Sequence, residues 1–117
     1  MNLADIADKL GLENLTPELD MNGDTDIASG YVSDLLSDVL AHAPHDGILV
    51  TVQVHLNVIA VSVHASLAAV IFALGRKPDE ATRLKAVEEG VCLLVSDMPA
   101  FEIVGRLYEL GLRGIKT

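Results

Sequence analysis

Residues 67–95 read LAAVIFALGRKPDEATRLKAVEEGVCLLV, and this stretch predicts the fold of the chain. The apolar segment LAAVIFA has the length and composition of a buried strand, and so has VCLLV at the other end. Between them, PDEATRLKAVEEG begins with Pro78 and ends with Gly90, which are typical first and last residues of a helix. Two buried strands joined by a helix form a βαβ unit, so the stretch predicts a parallel sheet.

The N-terminal segment predicts an amphipathic helix that begins after Asn2 and stops at Gly11. Four apolar residues there follow the helical spacing i, i+3, i+4, i+7 and are expected to pack on the core: Leu3, Ile6, Ala7 and Leu10. Residues 13–26 contain five acids, Pro17 and Gly23, with little periodicity. They predict a polar connection with at most a short strand near residues 14–15.

The strand and helix pattern also continues on both sides of residues 67–95. TDIASGYV predicts a short strand that ends at Gly30, and SDLLSDVLAHA (33–43) predicts a helix. The apolar face of that helix consists of Leu35, Leu36, Val39 and Leu40. GILVTVQV predicts a strand, and residues 57–63 a short buried helix because they lie between two stronger strands. PAFEIVGRLYELGL predicts a last helix closed by Gly111, and residues 114–116 a terminal strand.

Composition agrees with this reading. Of the 117 residues, 50% are hydrophobic but only 3% are aromatic, so the core must consist of Val, Leu, Ile and Ala. Such side chains fill a parallel sheet that is buried on both faces. We therefore predict a single α/β domain over residues 1–117, with a mostly parallel sheet flanked by helices.

The charge balance excludes two classes of partner. Eight Lys and Arg face 17 Asp and Glu, which gives a net charge of −9. Nucleic acids and anionic membranes are bound by clustered positive charge, so neither is expected as a partner. A helix-turn-helix interpretation of LADIADKLGLENLTPE fails for the same reason, because no basic recognition helix follows it. No signal peptide or membrane-spanning stretch is visible, and the single Cys92 lies in an apolar segment, so we expect a cytoplasmic protein.

Candidate binding residues lie where the predicted strands end. Ligands of open parallel sheets gather at the carboxyl ends of the strands, next to the N-termini of helices. Nine residues occupy these positions and form the predicted ligand site: Ser33, Asp34, Gln53, His55, Asn57, Gly75, Arg76, Ser96 and Asp97. We expect the Gly75 N–H and the Arg76 charge to contact a small anion.

Each of these residues also has a purely structural interpretation. Ser33, Asn57 and Asp97 are ordinary N-cap residues of helices. His55 is equally consistent with a surface loop, and Arg76 with an ion pair to Asp79 or Glu80.

Motifs for metals, cofactors and catalysis are missing from the sequence. The four His residues have no Cys or carboxylate partner at the spacing of a zinc site. Neither a G-x-G-x-x-G nor a G-x-x-x-x-G-K-[ST] loop occurs, so no cofactor is expected. Sequence order alone cannot establish a catalytic triad.

Three stretches together resemble a small stand-alone DRTGG-domain protein: GYVSDLLSDVLAHA, ILVTVQVHLNVIAVS, and AAVIFALGRKPDEATRLKAVEEGVCLLVSDMPAFEIVGRLYELGL. The resemblance extends from about Leu3 to the end of the chain. Gly75 and Pro78 match the family's Thr-Gly-Gly turn before a Pro, whereas Ala73 and Leu74 stand where Thr and the first Gly are usual. The family's Asp-Arg pair is absent, and residues 53–57 read QVHLN at that place.

The resemblance implies a fold similar to the N-terminal domain of HPr kinase/phosphorylase. It also implies a regulatory or protein-interaction module rather than an enzyme. We therefore expect a homodimer that acts on a partner enzyme or senses a small anionic ligand such as a nucleotide. The alternative is a small phosphotransferase-type enzyme, or an enzyme accessory subunit, that uses His55, Arg76 and Asp97.

Overall fold

The computed structural model of the chain describes residues 1–114. It contains five helices and five strands in that range, in this order: α1 (Leu3–Leu10), β1 (Glu13–Asn14), β2 (Gly30–Val32), α2 (Leu36–His42), β3 (Ile48–Thr51), α3 (Asn57–His64), β4 (Ala69–Phe72), α4 (Glu80–Glu89), β5 (Cys92–Val95) and α5 (Ala100–Glu109). Within these residues, no helix combines the length and the hydropathy required to cross a bilayer. The predicted terminal strand at residues 114–116 falls mostly outside the described residues.

The five strands form one sheet in the order β1-β5-β4-β3-β2. Strands β2 to β5 are parallel, and each pairs with the next one along the chain. Strand β1 pairs antiparallel with β5 at one edge. At the opposite edge, Arg113 makes a parallel bridge with Ser29, next to β2. The predicted fold, a mostly parallel sheet flanked by helices, is confirmed.

Helices cover both faces of the sheet. Residues of α2, α3 and α4 pack with Leu49, Val70 and Leu93 on one face. Residues of α1 and α5 pack with Val50 and Ile71 on the other. Successive residues of a strand point to opposite faces, so a strand buried on both sides must be apolar throughout. This explains why β4 and β5 appear in the sequence as uninterrupted apolar runs and why β3 has a single polar residue, the buried Thr51.

Local signals place the ends of two helices. The Asn2 side chain caps α1 by accepting a backbone N–H, and Gly11 ends the helix with a φ of +64°. Asp79 caps α4 in the same way, and Gly90 ends it with a φ of +75°. Pro78 lies just before this cap. The predicted bounds of α1 and the predicted end of α4 are confirmed, whereas α4 begins two residues after Pro78.

The predicted position of β2 is wrong, because the strand lies further along the chain than expected. The strand begins at Gly30 instead of ending there, because Tyr31 and Val32 are the residues that pair with β3. The preceding Ile27 donates its N–H to the carbonyl of Met1, so this part of the chain serves as a connection to the N-terminus.

The predicted apolar face of α2 is only partly buried. Val39 is fully buried, but Leu35 and Leu40 are 65% and 52% exposed. The helix starts at Leu36, three residues later than predicted, because residues 33–35 form a turn in which Ser33 Oγ accepts the Leu35 N–H at 3.1 Å. Leu35 therefore lies before the helix, at its N-cap position.

Candidate functional site at the carboxyl edge of the sheet

Four loops gather at the carboxyl edge of the sheet, because the strands that they follow are parallel. Strand order matches chain order from β2 to β5, so each exit loop neighbours the next one. All nine predicted site residues lie in these loops or at the first position of the following helix. Sequence reasoning therefore placed them at one edge of the sheet, while their binding role stays a prediction.

The only change of face among these exits occurs between β4 and β5. Helix α4 follows β4 onto one face, whereas α5 follows β5 onto the other. Loops that diverge in this way usually leave a crevice for a ligand. Here Gly75 N–H donates to Ser96 O at 2.8 Å, and Leu74 N–H donates to Met98 O at 3.0 Å. These bonds join the two loops across the position of the crevice.

The expected contact between the Gly75 N–H and an anion stays a prediction, and this structure does not offer the free N–H that it requires. The Gly75 N–H is already bonded to Ser96 O and is not available to an anion. A Cβ at Gly75 would lie 2.8 Å from Asp97 Oδ1, so the Asp97 side chain occupies the space beside the glycine. The absence of a side chain at Gly75 therefore allows Asp97, in the loop after β5, to approach the Gly75 backbone closely.

Residues 73–76 form a tight turn in which Arg76 N–H donates to Ala73 O at 3.2 Å. Both central residues, Leu74 and Gly75, have positive φ values of +59° and +66°. Two positive φ angles define a type I′ turn, which strongly favours glycine and asparagine. A leucine at the first of these positions adopts a backbone conformation that is strained for an L-amino acid.

The Arg76 side chain is exposed and makes no ion pair with any residue in the range 1–114. Its expected carboxylate partners are engaged elsewhere. Asp79 Oδ1 accepts the Thr82 N–H at 2.8 Å, and Glu80 pairs with Arg83 at 2.6 Å. The positive charge of Arg76 is therefore available at the carboxyl edge.

Asp34 connects two neighbouring exit loops. Its Oδ1 accepts hydrogen bonds from Thr51 Oγ1 and from the Val52 N–H, both at 2.8 Å. This single oxygen therefore fixes the end of β3 against the loop after β2. Asp34 has a structural role that its position in the sequence did not reveal.

The expected N-cap roles of Ser33, Asn57 and Asp97 are wrong. The residues at the N-cap positions of α2, α3 and α5 are Leu35, Leu56 and Pro99, and none of them makes a side-chain cap. Ser33 and the equivalent Ser96 instead accept an N–H two residues further on, within their loops.

The loop after β3 is held by its own polar side chains. Gln53 Oε1 accepts the His55 N–H at 3.1 Å, and His55 Nδ1 accepts the Asn57 N–H at 3.1 Å. An Nδ1 that accepts is unprotonated, so in the neutral ring Nε2 carries the proton. The His55 Nε2–H is therefore the donor that this loop can offer to a ligand.

A cavity of about 370 Å³ lies between this loop and the start of α4. Its lining consists of Val54, His55, Leu56, Asp79, Ala81, Thr82 and Lys85. The hydrogen bond from the Thr82 N–H lowers the pKa of Asp79. Hydrogen bonding to Glu89 raises the pKa of Lys85, whose ammonium also lies near Glu88. The lining therefore contains one acid, Asp79 at the N-cap of α4, and one base, Lys85 on α4. His55 lies opposite them, in the loop after β3.

Sequence reasoning missed Asp79, Thr82 and Lys85 as neighbours of His55. The sequence analysis considered Asp79 only as an ion-pair partner of Arg76, whereas the structure makes it the N-cap of α4. Nothing local shows that α4 packs beside α3. The spacing of Asp79, Thr82 and Lys85, each three residues apart, places them on one face of α4 and was the available signal.

Two kinds of site were sought in the part of the chain that the structure describes: a metal centre and the alternative enzyme site. No three His, Cys, Asp or Glu side chains among residues 1–114 come close enough to hold a metal ion. No hydrogen bond or ion pair in this range joins His55, Arg76 and Asp97 to one another. The alternative enzyme site thus receives no support from side-chain contacts.

Comparison with known proteins gives a relationship of fold. No family model matches the chain, and no curated protein matches it either. A solved structure that is similar contains the CBS and DRTGG domains of the regulatory region of Clostridium perfringens pyrophosphatase, complexed with the activator diadenosine tetraphosphate. The TM-score is 0.68 at 15% sequence identity, over 96% of this chain and 47% of that chain. This chain therefore spans about half the length of its structural neighbour.

The similarity supports a DRTGG-like fold, in agreement with the resemblance found in the sequence. It does not extend to HPr kinase/phosphorylase, and that part of the resemblance stays a prediction. At 15% identity the match concerns the path of the backbone and not the residues that contact the activator.

Proposed function

We propose that this chain is a non-enzymatic regulatory module that forms a homodimer, acts on a partner enzyme and binds a small anionic ligand such as a nucleotide. The observation that carries the proposal is the similarity of fold, over 96% of the chain, to a regulatory region complexed with a nucleotide activator. A cytoplasmic location, a single domain over residues 1–117 and a relation to the N-terminal domain of HPr kinase/phosphorylase belong to the same proposal.

Side chains rather than backbone N–H groups would recognise the ligand. The Gly75 N–H is bonded to Ser96, whereas Arg76 makes no ion pair within residues 1–114. His55 offers Nε2–H in the loop next to that of Arg76, because β3 and β4 are adjacent. The chain as a whole carries a charge of −9 and repels anions, so local positive charge is required. Arg76 meets this requirement at the carboxyl edge, and His55 adds an uncharged hydrogen-bond donor.

The alternative small phosphotransferase is not favoured by any specific observation. It needs His55, Arg76 and Asp97 to act on one substrate, and Asp97 Oδ1 lies instead against Gly75. Regulation by binding requires only the affinity of the site and not a catalytic geometry.

Calorimetric titration with mononucleotides, dinucleoside polyphosphates and phosphorylated metabolites tests the proposal. Arg76→Ala should weaken binding by about 1.5–3 kcal/mol, the scale of a charged hydrogen bond, and leave the melting temperature unchanged. Lys9→Ala is the matched control, because it removes another exposed positive charge, in the last turn of α1, that is not among the predicted site residues. Equal affinities for the wild type and Arg76→Ala would place the site elsewhere. Absence of binding by all of these compounds would remove the ligand part of the proposal.

A further inference from the structure

Leu74 is an exposed leucine whose backbone is held in a strained conformation. Its φ is +59°, at the first central position of the type I′ turn of residues 73–76. Glycine and asparagine adopt this conformation readily, whereas a bulky apolar residue rarely does. The leucine therefore makes the turn less stable than the residues that such turns usually contain.

The fold gives no internal reason for this leucine. Its side chain is 58% exposed, and neither of the two apolar clusters among the described residues includes it. Burial of a leucine side chain could offset the strain, but a side chain this exposed gains little from burial. An exposed leucine alone is ordinary on a protein surface. A leucine that is both exposed and strained indicates a contact outside the chain, because strained residues gather at binding sites.

Hydrogen bonds hold the turn in place. The Leu74 N–H donates to Met98 O at 3.0 Å, and the Gly75 N–H donates to Ser96 O at 2.8 Å. Both bonds connect the turn to the loop after β5. The position of Leu74 is thus fixed at the carboxyl edge, where the ligands of open parallel sheets bind.

The charges around the turn assign different parts of a ligand to different sides of it. Arg76 follows Leu74 by two residues, so their Cα atoms lie at most about 7 Å apart. Arg76 makes no ion pair with the rest of residues 1–114. The Asp97 carboxylate lies beside Gly75, since a Cβ there would be 2.8 Å from Asp97 Oδ1. Asp97 repels an anionic group on its own side, so the anionic group belongs beside Arg76 and an uncharged group beside Leu74.

We infer that Leu74 contacts the base of a nucleotide whose phosphates are bound by Arg76. The inference rests on the proposed function and names the part of the ligand that each side chain recognises. A nucleotide combines an anionic phosphate chain with a flat, uncharged base, and it therefore matches a cation next to an apolar side chain. Inorganic phosphates lack the second group and leave Leu74 exposed. Leu74 is thus the residue that makes the site select nucleotides over inorganic anions.

The strain at Leu74 distinguishes a ligand contact from a structural role. Leu74→Asn removes the apolar side chain and introduces a residue that tolerates a positive φ. It should therefore raise the melting temperature and, at the same time, weaken the binding of nucleotides. A leucine that served the fold would have the opposite effect on stability. Such an exchange of stability for binding is typical of strained residues in functional sites.

Calorimetric titration with two kinds of probe tests the inference. The first kind is ATP and diadenosine tetraphosphate, and the second is inorganic tripolyphosphate, which carries the phosphate chain of ATP without a base. Leu74→Asn should weaken the binding of both nucleotides by roughly 10-fold, the scale of a lost contact with one leucine side chain, and leave tripolyphosphate unaffected. Leu74→Met keeps an apolar side chain and should retain most of the affinity. Leu84→Asn is the matched control, because Leu84 is a 50% exposed leucine on α4 and not in an exit loop.

The outcomes separate this inference from the proposed function. A loss of nucleotide affinity in Leu74→Asn and not in the other two variants, together with a higher melting temperature, supports the contact with the base. Equal nucleotide affinities for the wild type and Leu74→Asn overturn the contact and keep the nucleotide site. A parallel loss for tripolyphosphate also overturns it, because Leu74 would then act on the phosphate site. A lower melting temperature of Leu74→Asn overturns the strain on which the inference rests, and a wild type that binds neither nucleotide overturns the inference together with the nucleotide part of the proposed function.

Discussion

Gly75→Ala is expected to destabilise the fold more than the same change at Gly11 or Gly90. All three glycines have a positive φ, of +66°, +64° and +75°. An alanine at such a φ costs about 1–2 kcal/mol at each site. At Gly11 and Gly90 a new Cβ meets no atom within 4 Å, whereas at Gly75 it meets Asp97 Oδ1 at 2.8 Å. Only Gly75 therefore combines backbone strain with a steric contact.

The steric part of the cost is moderate because Asp97 is exposed. Its carboxylate rotates away from the new methyl group, which costs about 0.5–1.5 kcal/mol if it leaves its preferred rotamer. We expect a total loss of about 2 kcal/mol for Gly75→Ala and about 1 kcal/mol for each control. Urea titration at constant m-value measures these differences as shifts of the midpoint.

A double-mutant cycle with Asp97→Ala identifies the cause. Without the carboxylate, Gly75→Ala should cost no more than Gly11→Ala, because only the backbone strain remains. An extra cost that persists in the Asp97→Ala background would refute the steric explanation. A loss at Gly75 smaller than at both controls would refute the assignment of the turn as well.

Two further predictions concern the buried hydrogen bonds and the acid stability. Thr16 is fully buried and its Oγ1 accepts the Leu93 N–H at 3.1 Å, so the isosteric Thr16→Val should lower the free energy of unfolding by about 1–3 kcal/mol; an unchanged urea midpoint would contradict this. The Thr82 N–H lowers the pKa of Asp79 in the folded state, so its stabilisation is complete above the unfolded pKa of about 4 and is lost as the pH falls through the lower folded pKa. Asp79→Asn should therefore lose less stability between neutral and acidic pH than the wild type, measured by melting temperature, and an identical acid dependence would disprove the role of the cap.

Local signals in the sequence were sufficient where an element depends on its own residues. Asn2 with Gly11, and Asp79 with Gly90, fix the ends of α1 and α4 through side-chain caps and positive φ angles. The buried strands were visible because they are covered on both faces and must be apolar throughout. These properties do not depend on how the elements are arranged in space.

The sequence analysis failed where the role of a residue depends on a partner far away along the chain. Gly30 looked like the end of a strand, but its N–H donates to Arg113 O, more than 80 residues away along the chain. The hydrogen bond from Thr51 to the Asp34 carboxylate was likewise not visible in the sequence, while the ligand role of Asp34 stays a prediction. Composition and spacing do not contain these partners.

In the candidate site, too, local patterns predicted the position of the residues, whereas distant contacts determined their hydrogen bonds. The alternation of strands and helices was enough to bring all nine predicted residues to one edge of the sheet. It could not show that α4 and α5 pass to opposite faces, which leads the Gly75 N–H to bond with Ser96. The sequence thus located the edge, and the three-dimensional arrangement determined which atoms there remain available.

The packing of α1 and α5 on one face has a consequence for folding during synthesis. Helices α2, α3 and α4 each follow a strand directly and can cover their face of the sheet as the chain emerges. The other face, with Val50 and Ile71, is covered by α1 and α5 together, and α5 is translated after every strand of the sheet. A nascent chain that has reached β5 therefore displays an apolar sheet surface with only α1 to cover it. Such a surface binds chaperones and neighbouring chains, so the docking of residues 100–109 on the sheet ends the period in which this protein is most prone to aggregate.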